Sequence, residues 1–521
     1  MIAGFLRRLL TARTPRERAA VAKAGHPSAG SASASDADFL AQAHAHARAG
    51  RLEAALEGYR ACAARPGIAL AALIECGNTL VDLWDIPAAL EAYEAALERS
   101  PQSTELLSAL IFHSRYLETP DFERLRSLEQ RYAAIVQRES AASVPLPDRD
   151  AGRRLRIGYV SPNFSRHSVG YFIEPVIRAH DRTQHEIYCY YSHPKSDDTT
   201  ARIREAADGW REIASLDDAA VTGMIVRDRI DILVDLAGHS KGNRLRVFAG
   251  RPAPVQMTWL GYPDTTGLAA IDYRIVDEIT DPAPAADAWH SEKLLRIAES
   301  FLCYLPPPDA PEVELRFAAD DGIVFGCCNS LQKVHPATLA LWARILEAVP
   351  GSRLIVKAAA LDYPDTVDRF EACLQAQGID ASRVELCGWI GDRGAHLGHY
   401  RHIDIALDTS PYNGTTTTCE ALWMGVPVIT LAGSRHLSRV GAMLLACAGL
   451  DDLVAGTSDD YVRIAVALAG DRTRLHALRG ELRERLRASP LLDHAGYTRR
   501  LEAGYRAAWA QFCAVAAGLR R

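Results

Sequence analysis

Tyr412-Asn413-Gly414-Thr415-Thr416-Thr417-Thr418-Cys419-Glu420-Ala421-Leu422-Trp423 lies between two apolar runs, residues 403–407 closed by Asp408, and residues 426–431. Both runs read as buried strands, and the quoted stretch reads as a glycine turn opening a helix that reaches Gly425. A strand, a tight turn, a cluster of hydroxyls and a helix make a ready anion site. The first-turn amides of a helix have no intrahelical acceptor, and the helix dipole favours negative charge there. Four threonines add donors without adding charge. The pattern also suits a well-capped buried helix, because threonine is a good N-cap.

The same rhythm extends in both directions. Residues 155–160, 186–191, 230–236 and 255–259 are short strand-like runs separated by helical stretches. Residues 306–311 carry four prolines and read as a linker. A second series follows, with strands at 323–328, 353–357, 383–387, 403–407 and 426–431. Its helices fall at 337–349, 367–378, 440–450 and 460–468, and a last helix spans 494–516. The fold class is α/β, two facing Rossmann-like domains, each a mostly parallel sheet covered on both faces. Ligands bind such sheets at the carboxyl ends of the strands.

Ahead of them, Ala54-Ala55-Leu56-Glu57-Gly58-Tyr59 recurs as Ala88-Ala89-Leu90-Glu91-Ala92-Tyr93, an offset of 34 residues, the tetratricopeptide period. Gly77, Ala89, Tyr93 and Pro101 fall on that repeat's usual positions, whereas the first copy has Ala43 where the glycine belongs. A third copy, from about Leu107, is degenerate. So short an array must cap an open face on a neighbouring domain. The division is a leader at 1–36, helical repeats at 37–145, a first Rossmann-like domain at 153–304, a linker at 305–318, a second Rossmann-like domain at 319–490, and a C-terminal helix at 491–521.

Composition sets outer bounds. The chain has 521 residues, 48% hydrophobic and 24% charged, with a formal net charge of −6. That profile gives no bulk case for nucleic-acid or anionic-membrane binding. Eleven cysteines without a CxxC pair suit a reducing cytoplasm. No apolar run approaches the ~18 residues of a membrane span, and the apolar start at residues 1–10 is broken by Arg7 and Arg8.

The candidate chemistry sits at strand ends. His167 follows the first strand and can accept or donate a proton near neutral pH. Asp235 and His239 close the third strand and are rival proton acceptors. Lys333, in Asn329-Ser330-Leu331-Gln332-Lys333, can neutralise a phosphate. His396 can stack on a base, and Arg393 stands close to it in sequence. No pair of carboxylates sits where a diphosphate-bound metal would need one, so no metal site is assigned.

Taken in order, these motifs resemble the O-GlcNAc transferase and SPINDLY family of protein O-glycosyltransferases. The resemblance runs from about Leu155 to Trp509. It includes His167, the 235–239 strand end, Arg251-Pro252-Ala253-Pro254-Val255-Gln256, the Trp259 to Gly267 loop, Asp272-Tyr273-Arg274, Lys333 and the Thr-rich loop. It implies two facing Rossmann-like halves (GT-B) that move a sugar from a nucleotide to Ser or Thr with inversion, without a metal or other cofactor. On that resemblance His167 lies near the acceptor and Lys333 binds the donor diphosphate. Thr416 and Thr417 hold phosphate, His396 packs on the base, and Glu420 receives the ribose hydroxyls. Thr415 stands where animal members have histidine, Ser330 where they have glutamine, and Arg393 where they have lysine. The implied partners are a nucleotide sugar, UDP-GlcNAc ahead of GDP-fucose, and a protein acceptor met through the repeats. A repeat scaffold that has lost catalysis is the alternative of another class.

Overall fold

The structure, a computed structural model, describes residues 35–138, 150–315 and 322–516. The apolar start and most of the leader lie outside the described residues. Six helices come first: α1 (Asp36–Arg48), α2 (Leu52–Ala63), α3 (Ala69–Asp82), α4 (Ile86–Arg99), α5 (Thr104–His113) and α6 (Phe122–Arg138). The first begins at Asp36, inside the expected leader, because Ser35 and Asp38 close a capping box around its free amides. The six form three antiparallel pairs, so the degenerate third copy is a helix pair as well.

The repeat's glycine has a steric cause. A Cβ at Gly77 would run into the ring of Tyr93. In the first copy Ala43 holds that place, and α2 gives way instead. Its Gly58 comes so close that a Cβ there would lie 2.8 Å from the Ala43 Cβ.

Two parallel sheets follow. The first contains β1 (Leu155–Ser161), β2 (His185–Tyr191), β3 (Gly209–Glu212), β4 (Ile232–Asp235), β5 (Val255–Thr258), β6 (Tyr273–Val276) and β7 (Lys293–Arg296), in the order β3-β2-β1-β4-β5-β6-β7. The second contains β8 (Val324–Cys327), β9 (Arg353–Lys357), β10 (Val384–Cys387), β11 (Ile405–Leu407), β12 (Val428–Leu431) and β13 (Val454–Ala455), in the order β10-β9-β8-β11-β12-β13. Strand order reverses between β1 and β4 and between β8 and β11, the switch points where open sheets bind ligands.

Helices α7 (Ser168–Ala179), α8 (Asp198–Ala206), α9 (Asp218–Asp228) and α10 (Leu245–Ala249) belong to the first half. The second half holds α11 (Pro336–Ala348), α12 (Pro364–Ala376), α13 (Arg393–Gly398), α14 (Thr416–Trp423), α15 (Val440–Cys447), α16 (Ser458–Gly470) and α17 (Arg472–Arg487). The last helix, α18 (His494–Ala516), returns to the first half. Tyr505 Oη lies 3.1 Å from Tyr159 Oη, and the rings of Tyr497 and Trp259 stack at 6.1 Å.

The repeats dock on both halves. Arg115, buried in the turn after α5, donates to the Tyr262 hydroxyl at 2.9 Å and pairs with Asp264 at 2.7 Å and Glu129 at 2.6 Å. Burial works against ionising Asp264, but the Arg115 guanidinium outweighs it and holds the carboxyl below its usual range. Burial pushes Glu129 up, to about 8. On the other half, Arg369 pairs with Glu53 at 2.7 Å, and the Thr366 hydroxyl donates to the Asp82 carbonyl at 2.9 Å.

Arg115→Leu should therefore strand the ionised Asp264 without its cation and cost about 3–5 kcal/mol of stability. Urea unfolding of the full chain measures it. A loss below ~1 kcal/mol would show that this cluster does not hold the repeats to the first half.

Candidate functional site: the cleft at the strand ends

The loops at the carboxyl ends of the two sheets touch one another. His436, after β12, donates to Asp281, after β6, through Nδ1 at 2.5 Å. The Arg393 guanidinium, after β10, lies 5.6 Å from the ring centroid of Tyr171 in α7, after β1. Tyr412, after β11, stacks at 5.3 Å on Tyr116 of the repeats. The cleft therefore has three walls, two sheets and the helical array.

On the second half, everything hangs on Asp408 at the end of β11. Its Oδ1 accepts from the Thr409 amide at 2.8 Å, the Gly414 amide at 2.6 Å and Asn329 Nδ2 at 3.0 Å; its Oδ2 accepts from the Thr430 hydroxyl at 2.7 Å. Burial raises its pKa against those donors and against the nearby Lys333 ammonium. Gly414 has to be glycine here, since a Cβ would fall 2.6 Å from Asn329 Oδ1 and 2.7 Å from Thr417 Oγ1. Beyond it α14 starts at Thr416. No side chain caps it at Thr415, so its first-turn amides have neither an intrahelical nor a side-chain acceptor.

Lys333 comes to the same place from β8. Its ammonium donates to the Asn413 carbonyl at 2.8 Å and sits 3.9 Å from the Tyr412 ring centroid. The side chain is half-buried; desolvation lowers its pKa to about 8 while Asp408 pulls the other way. A cation and an uncapped helix amino terminus thus share one spot. Thr417 donates its hydroxyl to Asn329 Oδ1, and Thr418 is buried. Ser330 is exposed and bonds to Gln332.

His396 Nε2 lies 3.0 Å from Glu420 Oε2, which also accepts from the Tyr400 hydroxyl at 3.3 Å. The two residues expected at the base and the ribose are therefore one hydrogen-bonded unit between α13 and α14. Arg393 is paired with Asp309 of the linker at 2.8 Å.

Across the cleft, His167 is the N-cap of α7. Its Nδ1 accepts from the Val169 amide at 3.2 Å, which leaves Nε2 to carry the proton of the neutral ring. The side chain reaches solvent, yet the protein around it disfavours the cation and lowers the pKa, to about 4.

Asp235 and His239 are placed differently from the expectation. Both are sealed from solvent. Asp235 folds back on its own loop, accepting from the Ala237 amide at 3.1 Å, the Gly238 amide at 2.8 Å and the Thr258 hydroxyl at 2.8 Å. Burial raises its pKa to about 6. His239 Nε2 faces the Thr266 carbonyl at 2.9 Å and its Nδ1 faces the Ser108 hydroxyl at 3.1 Å, between the rings of Tyr132 and Tyr262. Both ring nitrogens of His239 are engaged at the seam with the repeats, while Asp235 holds its own loop, so neither stands open to an acceptor.

Among the described residues, one group has metal-type ligands close together: His180, His185 and Glu502. It lies at the far end of α7 from His167. Glu502 Oε1 already receives the Asp181 amide at 2.8 Å and His180 Nδ1 at 2.9 Å, and lies 3.1 Å from His185 Nδ1, contacts that pin α18 to the first half. Sequence reasoning misses Asp408 as an organiser, Tyr412 as the seat of the lysine, and Tyr171 opposite Arg393. Only Tyr412 and Asp408 carry a signal, by their places at a strand end.

A cleft of this kind has counterparts among known proteins. The sequence profile described as Glycosyl transferase family 41 matches residues 134–304 and 315–501. The "Probable UDP-N-acetylglucosamine--peptide N-acetylglucosaminyltransferase SPINDLY" of Petunia hybrida is 46% identical over 370 residues, 70% of this chain and 40% of that protein. The protein of the same name from Solanum lycopersicum is 47% identical over 366 residues, 69% of this chain and 39% of that one. The chain thus spans about 40% of the length of these relatives. The solved structure of an O-GlcNAc transferase mutant from Thermobaculum terrenum superposes with a TM-score of 0.85 at 39% identity, covering 92% of each chain. Fold and site define a glycosyltransferase built on two Rossmann-like domains. The chain belongs to glycosyl transferase family 41.

Replacing Lys333 by Ala should lower turnover about 10–100-fold with the fold intact, the loss of one charge-assisted bond to a partly desolvated anion. On the reading that Lys333 meets a nucleotide diphosphate, and because its amine is charged below about 8, UDP affinity of the wild-type protein should fall as pH rises from 7 to 9. The Lys333→Ala protein should lack that slope. Calorimetric titration at several pH values checks both, and an equal slope in the two proteins would place the titrating group elsewhere.

Proposed function

We propose that this protein is an inverting, metal-independent protein O-glycosyltransferase that moves GlcNAc from UDP-GlcNAc to Ser or Thr of a protein acceptor. The observation that carries the reading is the convergence of the Lys333 ammonium and the uncapped start of α14 beside Asn413. A nucleotide diphosphate seated there has its growing leaving-group charge met by a fixed cation and fixed dipoles. The acceptor oxygen attacks the anomeric carbon from the face opposite the diphosphate, the glycosidic C–O bond to phosphate breaks, and the hydroxyl proton passes to solvent or a neighbouring base. His167, neutral at working pH and carrying its proton on Nε2, orients the acceptor by donating a hydrogen bond. The names of the SPINDLY relatives favour UDP-N-acetylglucosamine as donor. The compartment is cytoplasmic on this reading, in keeping with eleven cysteines and no disulfide among them; among the described residues no helix is long and apolar enough to cross a membrane.

Donor hydrolysis across a panel of nucleotide sugars tests the donor. UDP-GlcNAc should be consumed fastest, and preferential consumption of GDP-fucose would replace it with a fucosyl donor.

His167→Ala should cut transfer about 10²–10⁴-fold while UDP affinity stays within a factor of about two. Lost UDP affinity with normal transfer at saturation would assign His167 to the donor instead.

EDTA should leave the rate unchanged, and added magnesium or manganese should not raise it. A strict divalent requirement would refute the metal-free step and direct attention to Asp408 and Asp264.

A further inference from the structure

The turn between α3 and α4 contains Trp84 with φ of +61°, the left-handed region that bulky residues seldom adopt. One repeat earlier, the same turn between α1 and α2 holds Gly50 with φ of +74°, which glycine accepts without cost. The repeat geometry therefore asks for glycine, and the second copy spends backbone strain to place an indole there. Strain of this kind persists where surrounding contacts over-determine it.

Those contacts lead to Lys333. The Trp84 indole N–H donates to the Val334 carbonyl at 2.9 Å, and its ring meets Phe370 edge-on at 5.1 Å. From the other flank, Gln332 Nε2 donates to the Val81 carbonyl at 3.0 Å. Lys333 lies between these two anchored residues. The ring it rests on, Tyr412, is itself stacked on Tyr116 of the repeats, with 21° between the planes. Backbone and aromatic seat of the lysine are thus both held by the helical array. A long flexible side chain reaches a fixed point only if its backbone is fixed, and a displacement of about 1 Å at a reacting group can cost on the order of 10²-fold.

We infer that Trp84 is a positioning residue for Lys333, so that the helical repeats complete the donor site as well as flanking it. The inference rests on the reading of Lys333 as the donor-diphosphate ligand. It implies that whatever bends the repeats, an acceptor protein included, changes how tightly the diphosphate is held.

Two variants of the full chain test it. Trp84→Gly installs the residue of the first repeat, relieving the strain and deleting the indole. Trp84→Phe keeps a ring against Phe370 and deletes the N–H donor. UDP affinity is measured by calorimetry for each variant, alone and combined with Lys333→Ala. Trp84→Gly should weaken UDP about 5–20-fold and Trp84→Phe about 3-fold, up to the scale of one charge-assisted hydrogen bond to an anion. In the Lys333→Ala background neither should matter by more than about 2-fold, the non-additivity expected of groups that act through one another. Equal losses in both backgrounds, or unchanged affinity in the first, would overturn the inference and leave Trp84 a docking residue. Amide exchange at residues 331–334 reads the same turn without nucleotide; it should speed up in Trp84→Gly, and unchanged exchange counts against the inference. A wild-type protein that binds neither UDP nor GDP would overturn the donor-site reading itself, and the exchange result would still decide whether Trp84 holds the turn.

Discussion

The carboxylate of Asp408 is the constraint on which the site depends. Four donors from three strand ends and one loop converge on it inside the protein, where an unmatched carboxylate would be costly. Once those bonds are satisfied, Gly414 has one position, and α14 must start where it does. The first half uses the same device at the corresponding strand. Asp235 gathers two amides of its loop and the Thr258 hydroxyl of the neighbouring strand, as Asp408 gathers the Thr430 hydroxyl. The outcomes differ because the two loops lead to different elements. After Asp235 comes a buried histidine at the seam with the repeats; after Asp408 comes a helix with a free amino terminus.

The positive side of the cleft is therefore made from ordinary parts with little charge. On the proposed reading one lysine, one helix end and several hydroxyls receive the diphosphate, on a loop already held by buried bonds. The histidine on the opposite side is exposed at the cleft, and the protein around it lowers its pKa. On the proposed reading the arrangement separates the tasks: the second half receives the leaving group, and the first half meets the incoming hydroxyl.

Much of this is legible in the amino-acid order alone. Central parallel strands read as apolar runs because both faces are covered, so β1, β4, β8 and β11 are visible there. The strands that escape such reading in the first half, β3, β6 and β7, are four residues long with polar or charged members such as Arg211, Glu212 and Lys293, and they lie toward the sheet edges. The Thr-rich helix is placed correctly because turn, hydroxyls and apolar flanks all agree. Asp235 and His239 show the limit. Their strand-end position suggests open groups, but position along a chain does not reveal whether a side chain turns outward or back onto its own loop amides. The grip of Trp84 on Val334 has no sequence signal, since it joins residues of two domains.

Helix α18 has a bearing on how the molecule is made. It closes the layer over the first sheet, with Glu502 binding the end of α7 and Tyr505 bonded to Tyr159 on β1. The ribosome makes β1 long before it makes α18, and the whole second half emerges between them. During that interval the first half lacks a wall of its core, and Tyr159 and Trp259 have no aromatic cover from Tyr505 and Tyr497. The first half thus cannot complete the packing of Tyr159 and Trp259 until α18 has been synthesised. A nascent chain that has reached only the second half leaves the aromatic face that Tyr505 and Tyr497 later cover open to water.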